Sequence, residues 1–174
     1  ILFKVFNLKS REGECFLVED GRRYLRRDSA KKFDIIWVTF SDPMGISENR
    51  YFTREFFRLA NSHLNKGGLF VINLQGSENY LSRLQLEKLG GVYSTLSSVF
   101  RYVKVSPGDE YIFISSQEDF EFTPENLAIR GEKLGINPGI YFMKLLPERV
   151  SYFSNLLMRE GYKINSDFYP ITFL

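Results

Sequence analysis

The sequence predicts an α/β domain whose mostly parallel sheet ends in a C-terminal antiparallel hairpin. Two short apolar runs, residues 34–39 and 69–74, have the pattern of strands that are buried on both faces of a parallel sheet. Residues 53–64, which lie between them, carry an apolar stripe at helical spacing. A strand, a helix and a strand at such short spacing are typical of a βαβ unit.

Composition limits the class of protein. The chain has 174 residues, of which 44% are hydrophobic, and this is enough to bury the core of one domain. The formal net charge of +2 is too small to indicate a nucleic-acid partner. The single cysteine, Cys15, cannot form an internal disulfide, which favours a reducing compartment such as the cytoplasm.

The first half of the chain contains further predicted elements around this unit. Residues 14–18 read as a short strand, followed by a basic helix over residues 22–27. Thr53 is expected to cap the helix over residues 53–64, and the pair Gly67 and Gly68 is expected to end it. Trp37 lies inside an apolar strand, so we interpret it as a core residue.

The second half predicts two further helices and a hairpin. Residues 80–89 have helical spacing and are expected to stop at Gly90 and Gly91, with a second helix over residues 92–100. Residues 101–105 and 111–115 are two apolar strands joined by a turn sequence, which predicts an antiparallel hairpin.

The C-terminal part differs in character. Pro124 and Pro147 each occupy the first position of a predicted helix, and an extended polar and aromatic segment follows. We therefore divide the chain into residues 1–122, the main part of the α/β domain, and residues 123–174, a helical extension packed on it.

Few side chains suggest chemistry by their type alone. His63 is the only histidine and has no second metal-binding residue near it, so we interpret it as a solvated helix residue, and we predict no metal site. The run of arginines over residues 22–27 could bind phosphate, although a solvated helix face is the commoner origin of such a run.

Two acidic residues follow predicted strands. Asp20 and Asp42 each lie just beyond an apolar run, and ligands bind beyond the C-terminal ends of the strands in doubly wound sheets. Asp20 in that position can accept a hydrogen bond from an exocyclic amine of adenine, and Asp42 would lie over the mouth of the site. An Asp that only caps a turn or a helix is the alternative for both residues.

The order and spacing of several segments resemble the spermidine synthases, the polyamine aminopropyltransferases. The segments that carry the resemblance are residues 18–25 (VEDGRRYL), 33–36 (FDII), 41–43 (SDP), 51–57 (YFTREFF), 67–70 (GGLF), 78–81 (ENYL) and 107–109 (PGD). Residues 146–149 (LPER) and 165–170 (NSDFYP) resemble the branch of the family that is fused to membrane-spanning segments.

The resemblance implies a Rossmann-like fold of the S-adenosylmethionine-dependent methyltransferase type. It implies transfer of an aminopropyl group from decarboxylated S-adenosylmethionine to a polyamine such as putrescine. By resemblance, Asp20 and Gly21 would hold adenine and Asp42 would bind the amine. Alignment on Asp42 and Pro43 places Thr39 where the family has an acidic general base, and a threonine hydroxyl cannot take that proton at neutral pH.

The resemblance also leaves alternatives open. The family's glycine-rich loop has no counterpart here and both ends of the chain are apolar, so we expect a fragment whose activity is impaired or absent. A non-catalytic binding or regulatory relative, or a methyltransferase, would also fit. A homodimer formed through an open strand edge is a further expectation, as is a parent protein with membrane-spanning segments and a cytosolic domain at an inner membrane.

Overall fold

The computed structural model describes residues 17–39, 45–78, 80–135, 146–159 and 161–170. In these ranges four strands alternate with six helices along the chain. In chain order they are α1 (Gly21–Arg27), β1 (Phe33–Val38), α2 (Ile46–Asn49), α3 (Arg54–Ser62), β2 (Leu64–Gln75), α4 (Arg83–Ser97), β3 (Tyr102–Ser106), β4 (Glu110–Ser116), α5 (Pro124–Lys133) and α6 (Pro147–Leu157).

The four strands form one sheet in the order β1-β2-β4-β3. Strands β1 and β2 are parallel, with Ile35 opposite Leu69 and Val38 opposite Ile72, which confirms the predicted βαβ unit. Strand β4 is antiparallel to both β2 and β3, so the predicted hairpin is confirmed as well. The α/β class is therefore confirmed, although the described sheet is mixed rather than mostly parallel.

The core lies on one face of this sheet. Alternate residues of β2 point into it, and Phe70, Ile72 and Leu74 are almost completely buried. Helix α3 supplies aromatic rings from its apolar stripe, and the ring of Phe57 lies 5.3 Å from that of Phe70 in an edge-to-face contact. The apolar stripe read from the sequence is therefore the surface that joins α3 to the sheet.

The other face of the sheet corrects the prediction of strands buried on both faces. The side chains of Ile35 and Trp37 point away from the core and are 58% and 62% exposed, so the interpretation of Trp37 as a core residue is wrong. At these two positions of β1, no described element covers the sheet. A continuous apolar run shows that a strand could be buried on both faces, but it does not show whether other parts of the protein cover both faces.

The edge of the sheet at β1 has one described neighbour. Among the described residues, β1 pairs with β2 alone. The strand predicted over residues 14–18 lies mostly outside the described ranges, and its last two residues, Leu17 and Val18, are exposed and not in a strand. A partner for this edge, from residues 14–18 or from a second chain, stays a prediction.

Two glycine pairs have functions other than the predicted helix ends. Helix α3 ends at Ser62, and Gly67 lies inside β2 with φ +72°, close to an irregularity in its pairing with β1. A side chain at Gly68 would lie 2.9 Å from the carbonyl oxygen of Asn65. Glycine is required here by a bulged strand, not by a helix terminus.

Gly90 and Gly91 lie in the middle of α4, where two separate helices were predicted. A β-carbon at Gly90 would lie 2.5 Å from the ring of Tyr162, which belongs to the C-terminal segment. This glycine lets a ring pack against the helix backbone. The prediction of two helices was wrong because close packing and helix termination both select glycine.

The C-terminal helices begin as predicted. Thr123 caps α5 by accepting a hydrogen bond from the Asn126 N–H, with Pro124 at the first position, and α6 begins at Pro147. Helix α6 packs against α4 and β3. None of the helices in the described ranges has the length and apolar character that a bilayer crossing requires. The division at residue 122 stays a prediction.

Candidate functional site

The candidate site includes Asp20, which caps the N-terminus of helix α1. Its backbone is extended, and its side-chain Oδ1 accepts a hydrogen bond from the Arg23 N–H at 2.9 Å. The aspartate thus satisfies one of the N–H groups that every helix leaves unpaired in its first turn. The helix-cap alternative raised by the sequence is therefore what the structure shows for this oxygen.

The second oxygen of Asp20 faces the loop after helix α2. Oδ2 accepts a hydrogen bond from the Tyr51 hydroxyl at 2.5 Å and is ion-paired with the Arg50 guanidinium. Partial burial would by itself raise the pKa of Asp20, but the hydrogen bonds from Tyr51 and the Arg23 N–H, with the Arg50 charge, outweigh it and lower the pKa. The carboxylate stays ionised and is 38% exposed.

Gly21 has no steric reason to be glycine. A β-carbon here would lie 3.7 Å from Cε1 of Tyr51, an ordinary van der Waals distance. The residue is the first of helix α1 and is exposed. The fold therefore has room for a small side chain at this position, beside Asp20.

The next residue, Arg22, forms the central ion pair of the site. Its two terminal nitrogens donate to both oxygens of Asp167 at 2.9 and 2.8 Å, and one of them also donates to the Arg50 carbonyl at 2.8 Å. The side chain of Arg22 is only 7% exposed. Such a two-point pairing with a planar carboxylate is the geometry that arginine makes best.

Thr53 completes the environment of Asp167. Its hydroxyl donates to Oδ1 at 2.7 Å and also caps helix α3 by accepting from the Phe56 N–H. The hydrogen bonds from Arg22 lower the pKa of Asp167, and those from Thr53 add to this against the opposing effect of partial burial. The predicted helix cap is confirmed, and it also holds the C-terminal segment.

Asn165 ties that segment into the core. The side-chain amide is completely buried and donates to Asn49 Oδ1 at 2.7 Å and to the Phe52 carbonyl at 3.1 Å. Its backbone N–H donates to Thr95 Oγ1 at 2.8 Å, and its carbonyl accepts from the Arg54 N–H at 2.9 Å. The segment 161–170 is thus fixed by a satisfied polar network.

These contacts enclose a cleft, which we call the arginine cleft. Its volume is about 540 Å³. The residues that define it are Asp20, Arg22, Arg23, Arg26, Arg50 and Asp167. It therefore joins the first predicted site residue to the C-terminal segment, 147 positions later in the chain.

The other predicted site residues are only partly placed. Thr39 directly follows β1, at the edge where parallel strands end, and it is exposed. Asp42 lies outside the described residues. Asp20 and Gly21, which are consecutive in the chain, together form the start of helix α1.

His63 corrects another expectation. It is 2% exposed, not solvated, and its ring nitrogens lie 2.8 Å from the Leu59 carbonyl and 3.2 Å from the Asp28 carbonyl. The ring links the ends of helices α1 and α3, which is a structural task. In the described ranges, no group of three or more His, Cys, Asp or Glu residues is arranged to hold a metal ion.

Sequence reasoning missed the residues that surround Asp20. Arg50 and Tyr51 contact it from 30 and 31 positions away, and Asp167 meets Arg22 across 145 positions. A pattern in one sequence does not show such pairings. The one available signal was the run of arginines over residues 22–27, in which Arg22 could not be distinguished from its exposed neighbours.

Comparison with known proteins identifies the family. Residues 7–124 match the spermine/spermidine synthase domain family. The chain is 29% identical over 114 residues to a polyamine aminopropyltransferase of Pectobacterium atrosepticum, covering 66% of this chain and 37% of that protein. It is 35% identical over 107 residues to a spermine synthase of Saccharomyces cerevisiae, covering 62% and 31%. The chain thus spans about a third of these relatives.

Solved structures show the same fold. A probable spermidine synthase from Corynebacterium glutamicum superimposes with a TM-score of 0.53 at 22% identity, covering 87% of this chain and 53% of that one. Human methyltransferase-like protein 13, solved in complex with SAH, gives 0.54 at 19% identity and covers 91% and 65%. The methyltransferase-like architecture expected from the sequence is confirmed.

Proposed function

Because this chain belongs to the spermine/spermidine synthase domain family, we propose that it forms part of a domain that transfers an aminopropyl group. The donor is decarboxylated S-adenosylmethionine, and the acceptor is a polyamine such as putrescine. In this reaction the amine nitrogen bonds to the carbon beside the sulfonium, the carbon–sulfur bond breaks, and the amine loses a proton. The family match over residues 7–124 is the observation that supports the proposal.

Asp20 and Gly21 are proposed to hold the adenine of the donor. A carboxylate can accept about four hydrogen bonds, and Asp20 receives three, from Arg23, Arg50 and Tyr51. One acceptor position is left for the exocyclic amine of adenine, and the exposed Gly21 presents no side chain to the approaching ring. The existing hydrogen bonds fix the orientation of the carboxylate before the ligand arrives.

Asp20→Asn tests this assignment in the protein expressed from its complete gene. The amide oxygen of asparagine can still cap helix α1 through the Arg23 N–H, whereas the second acceptor becomes a donor. The remaining acceptor position is on Oδ1, because Oδ2 already accepts from Tyr51 and Arg50. In the variant an NH2 group faces these two donors, and this turns the carboxamide away from the orientation of the carboxylate. We expect the affinity for 5′-methylthioadenosine to fall by about 1–3 kcal/mol, because the acceptor for the adenine amine is no longer held in place. Calorimetry measures the affinity.

The matched control is Asp28→Asn at the other end of the same helix. The side chain of Asp28 accepts from the nearby Ala30 N–H, and Asp28 does not line the arginine cleft. The Asp28→Asn variant should bind the same ligand with unchanged affinity. Equal affinities for the Asp20→Asn variant and the parent protein would remove Asp20 from the site.

Thr39 favours a second candidate, a relative whose catalytic site has decayed to binding or regulation. The residue follows β1 at the ligand-binding edge, but its hydroxyl cannot accept the proton that the amine must lose. We therefore propose weak or absent synthase activity, with Asp42 holding the amine. A methyltransferase of similar fold would not need this base, since its acceptor can already be nucleophilic.

Thr39→Asp separates a decayed site from a working one. A restored carboxylate should raise the rate of spermidine formation at least about tenfold, because a positioned general base contributes about 10²–10⁴-fold. Thr39→Asn, which has the same shape without the charge, should give no gain. Parent activity in the ordinary enzyme range of about 1 per second or more would show that another group serves as the base.

A further inference from the structure

The arginine cleft is lined by more positively charged than negatively charged side chains. Four of its residues are arginines and two are aspartates, which leaves an excess of two positive charges. Three of the arginines, Arg22, Arg23 and Arg26, lie on one side of helix α1, because Arg26 is four positions from Arg22 and three from Arg23. The same run over residues 22–27 was attributed to a solvated face, yet Arg22 is buried.

Two of these guanidinium groups are available to a ligand. The side chain of Arg26 makes no hydrogen bond or close ion pair with any residue in the described ranges, although its charge helps to lower the pKa of Asp167. Arg23 is 83% exposed, and its one carboxylate neighbour, Glu19, lies 4.0 Å away. Glu19 makes a closer contact of 3.0 Å with Arg27, which lies one turn beyond Arg23 in the chain. The carboxylates of the cleft are instead occupied by Arg22 and Arg50.

The two paired arginines are also incompletely satisfied. The Nε atoms of Arg22 and Arg50 are buried and have no hydrogen-bond partner among the described residues. An unpaired buried N–H costs free energy, and it costs more on a charged group. Two donors of the cleft are therefore unsatisfied by the described residues, although the Nε atoms of Arg54 and Arg149, which do not line the cleft, are unpaired as well.

We propose that the arginine cleft is a binding site for the phosphate group of a small molecule, gripped by Arg23 and Arg26. A phosphate monoester carries a charge of about −1.5 to −2 at neutral pH, which matches the excess charge. Its oxygens fit the forked N–H donors of arginine. The cleft volume of about 540 Å³ exceeds that of phosphate alone, so a larger phosphorylated molecule also fits.

The test is a titration of the purified chain at constant ionic strength, with chloride as the balancing anion. Inorganic phosphate is one probe and adenosine 5′-monophosphate is the other, and calorimetry measures both affinities. Saturable binding of either supports the site. Adenosine is titrated as well, because Asp20, the proposed adenine ligand, lines the same cleft. If the nucleotide binds more tightly than both phosphate and adenosine, the source is a phosphorylated nucleoside, whereas an affinity equal to that of phosphate identifies free phosphate.

Arg26→Gln should weaken binding at least about fivefold, since it removes a charged donor from the phosphate. The matched control is Arg27→Gln, which removes the same charge from the neighbouring position of the same helix. Arg27 is 61% exposed, pairs with Glu19 and does not line the cleft, so its affinity should be nearly unchanged. Both side chains are exposed, and thermal unfolding checks that both variants fold.

Two results would overturn the proposal. The first is equal weakening by Arg26→Gln and Arg27→Gln, which would show diffuse attraction to a basic helix. The second is no saturable binding of either probe up to about 10 mM. This test does not depend on aminopropyl transfer, because Arg26 has no role in the proposed adenine site and thioether binding is measured separately.

Discussion

The two walls of the arginine cleft are built differently. The first wall is Asp20 with Gly21 at the start of helix α1, and the second is the C-terminal segment 161–170. Both present an aspartate to an arginine, but the Asp20–Arg50 pair is exposed, with 38% and 40% of the side chains accessible, whereas Arg22 is buried against Asp167.

The two walls also differ in how tightly their other residues are packed. Gly21 has room for a side chain, whereas Gly90 has none because the ring of Tyr162 lies against it. Asn165 is completely buried and fully hydrogen-bonded. The second wall is therefore part of the folded core, and the first wall is set in place by it while keeping polar groups accessible to a ligand.

The largest expected effect is on the second wall. Asp167→Ala leaves Arg22 buried without its carboxylate and should lower the free energy of unfolding by about 3 kcal/mol, the lower end of the range for a broken buried pair. The lower end applies because Asp167 keeps 30% of its side-chain surface accessible. Urea unfolding of the purified chain measures the loss.

Glu87→Ala is the control for this variant. Glu87 pairs with Arg83 one turn away on the surface of helix α4, at 2.9 Å, and both side chains are largely exposed. An exposed pair of this kind contributes about 0.3–0.5 kcal/mol. Comparable losses for the two variants would contradict the structural importance of the Arg22–Asp167 pair.

A smaller effect separates two glycines that both lie in helices. Gly90→Ala should destabilise the chain by about 1–3 kcal/mol, since the new methyl group would overlap the Tyr162 ring and force it aside. Gly21→Ala should leave stability unchanged or raise it by up to about 1 kcal/mol, because its methyl group finds ordinary contact distances and alanine is the better helix former. Thermal unfolding of the two variants compares them directly, and a larger loss for Gly21→Ala would reverse the assignment of the two walls.

How far the sequence predicted the fold depends on the range of the interactions involved. Local signals worked well: Thr53 and Thr123 cap helices as expected, and the apolar runs that include Ile35 and Leu69 are adjacent parallel strands. Glycine signals failed at Gly90, because the reason for that glycine is a ring 72 positions away. The exposure of Trp37 was missed because burial depends on which elements cover the sheet.

The sequence predicted only those features of the candidate site that depend on neighbouring residues in the chain. Asp20 was identified from its position after an apolar run, and the resemblance gave it a role. Its contacts with Arg50 and Tyr51 and the pairing of Arg22 with Asp167 depend on how distant segments meet. A single sequence does not show which distant segments are in contact, so the arginine cleft can be recognised only in the structure.

The smallest expected effect concerns acid. Asp20 and Asp167 both have a lowered pKa in the folded chain, so each contributes stability above the unfolded value of about 3.9. That stability is lost as the pH falls through the folded pKa, because the unfolded chain then binds more protons. Stability should therefore be flat near neutrality and decline below about pH 4.

Asp167→Asn should reduce this decline more than Asp20→Asn, since solvent screens the exposed Asp20–Arg50 pair. Urea unfolding at a series of acidic pH values gives the two slopes, and a greater reduction by Asp20→Asn would mean that the exposed wall holds the stronger pair.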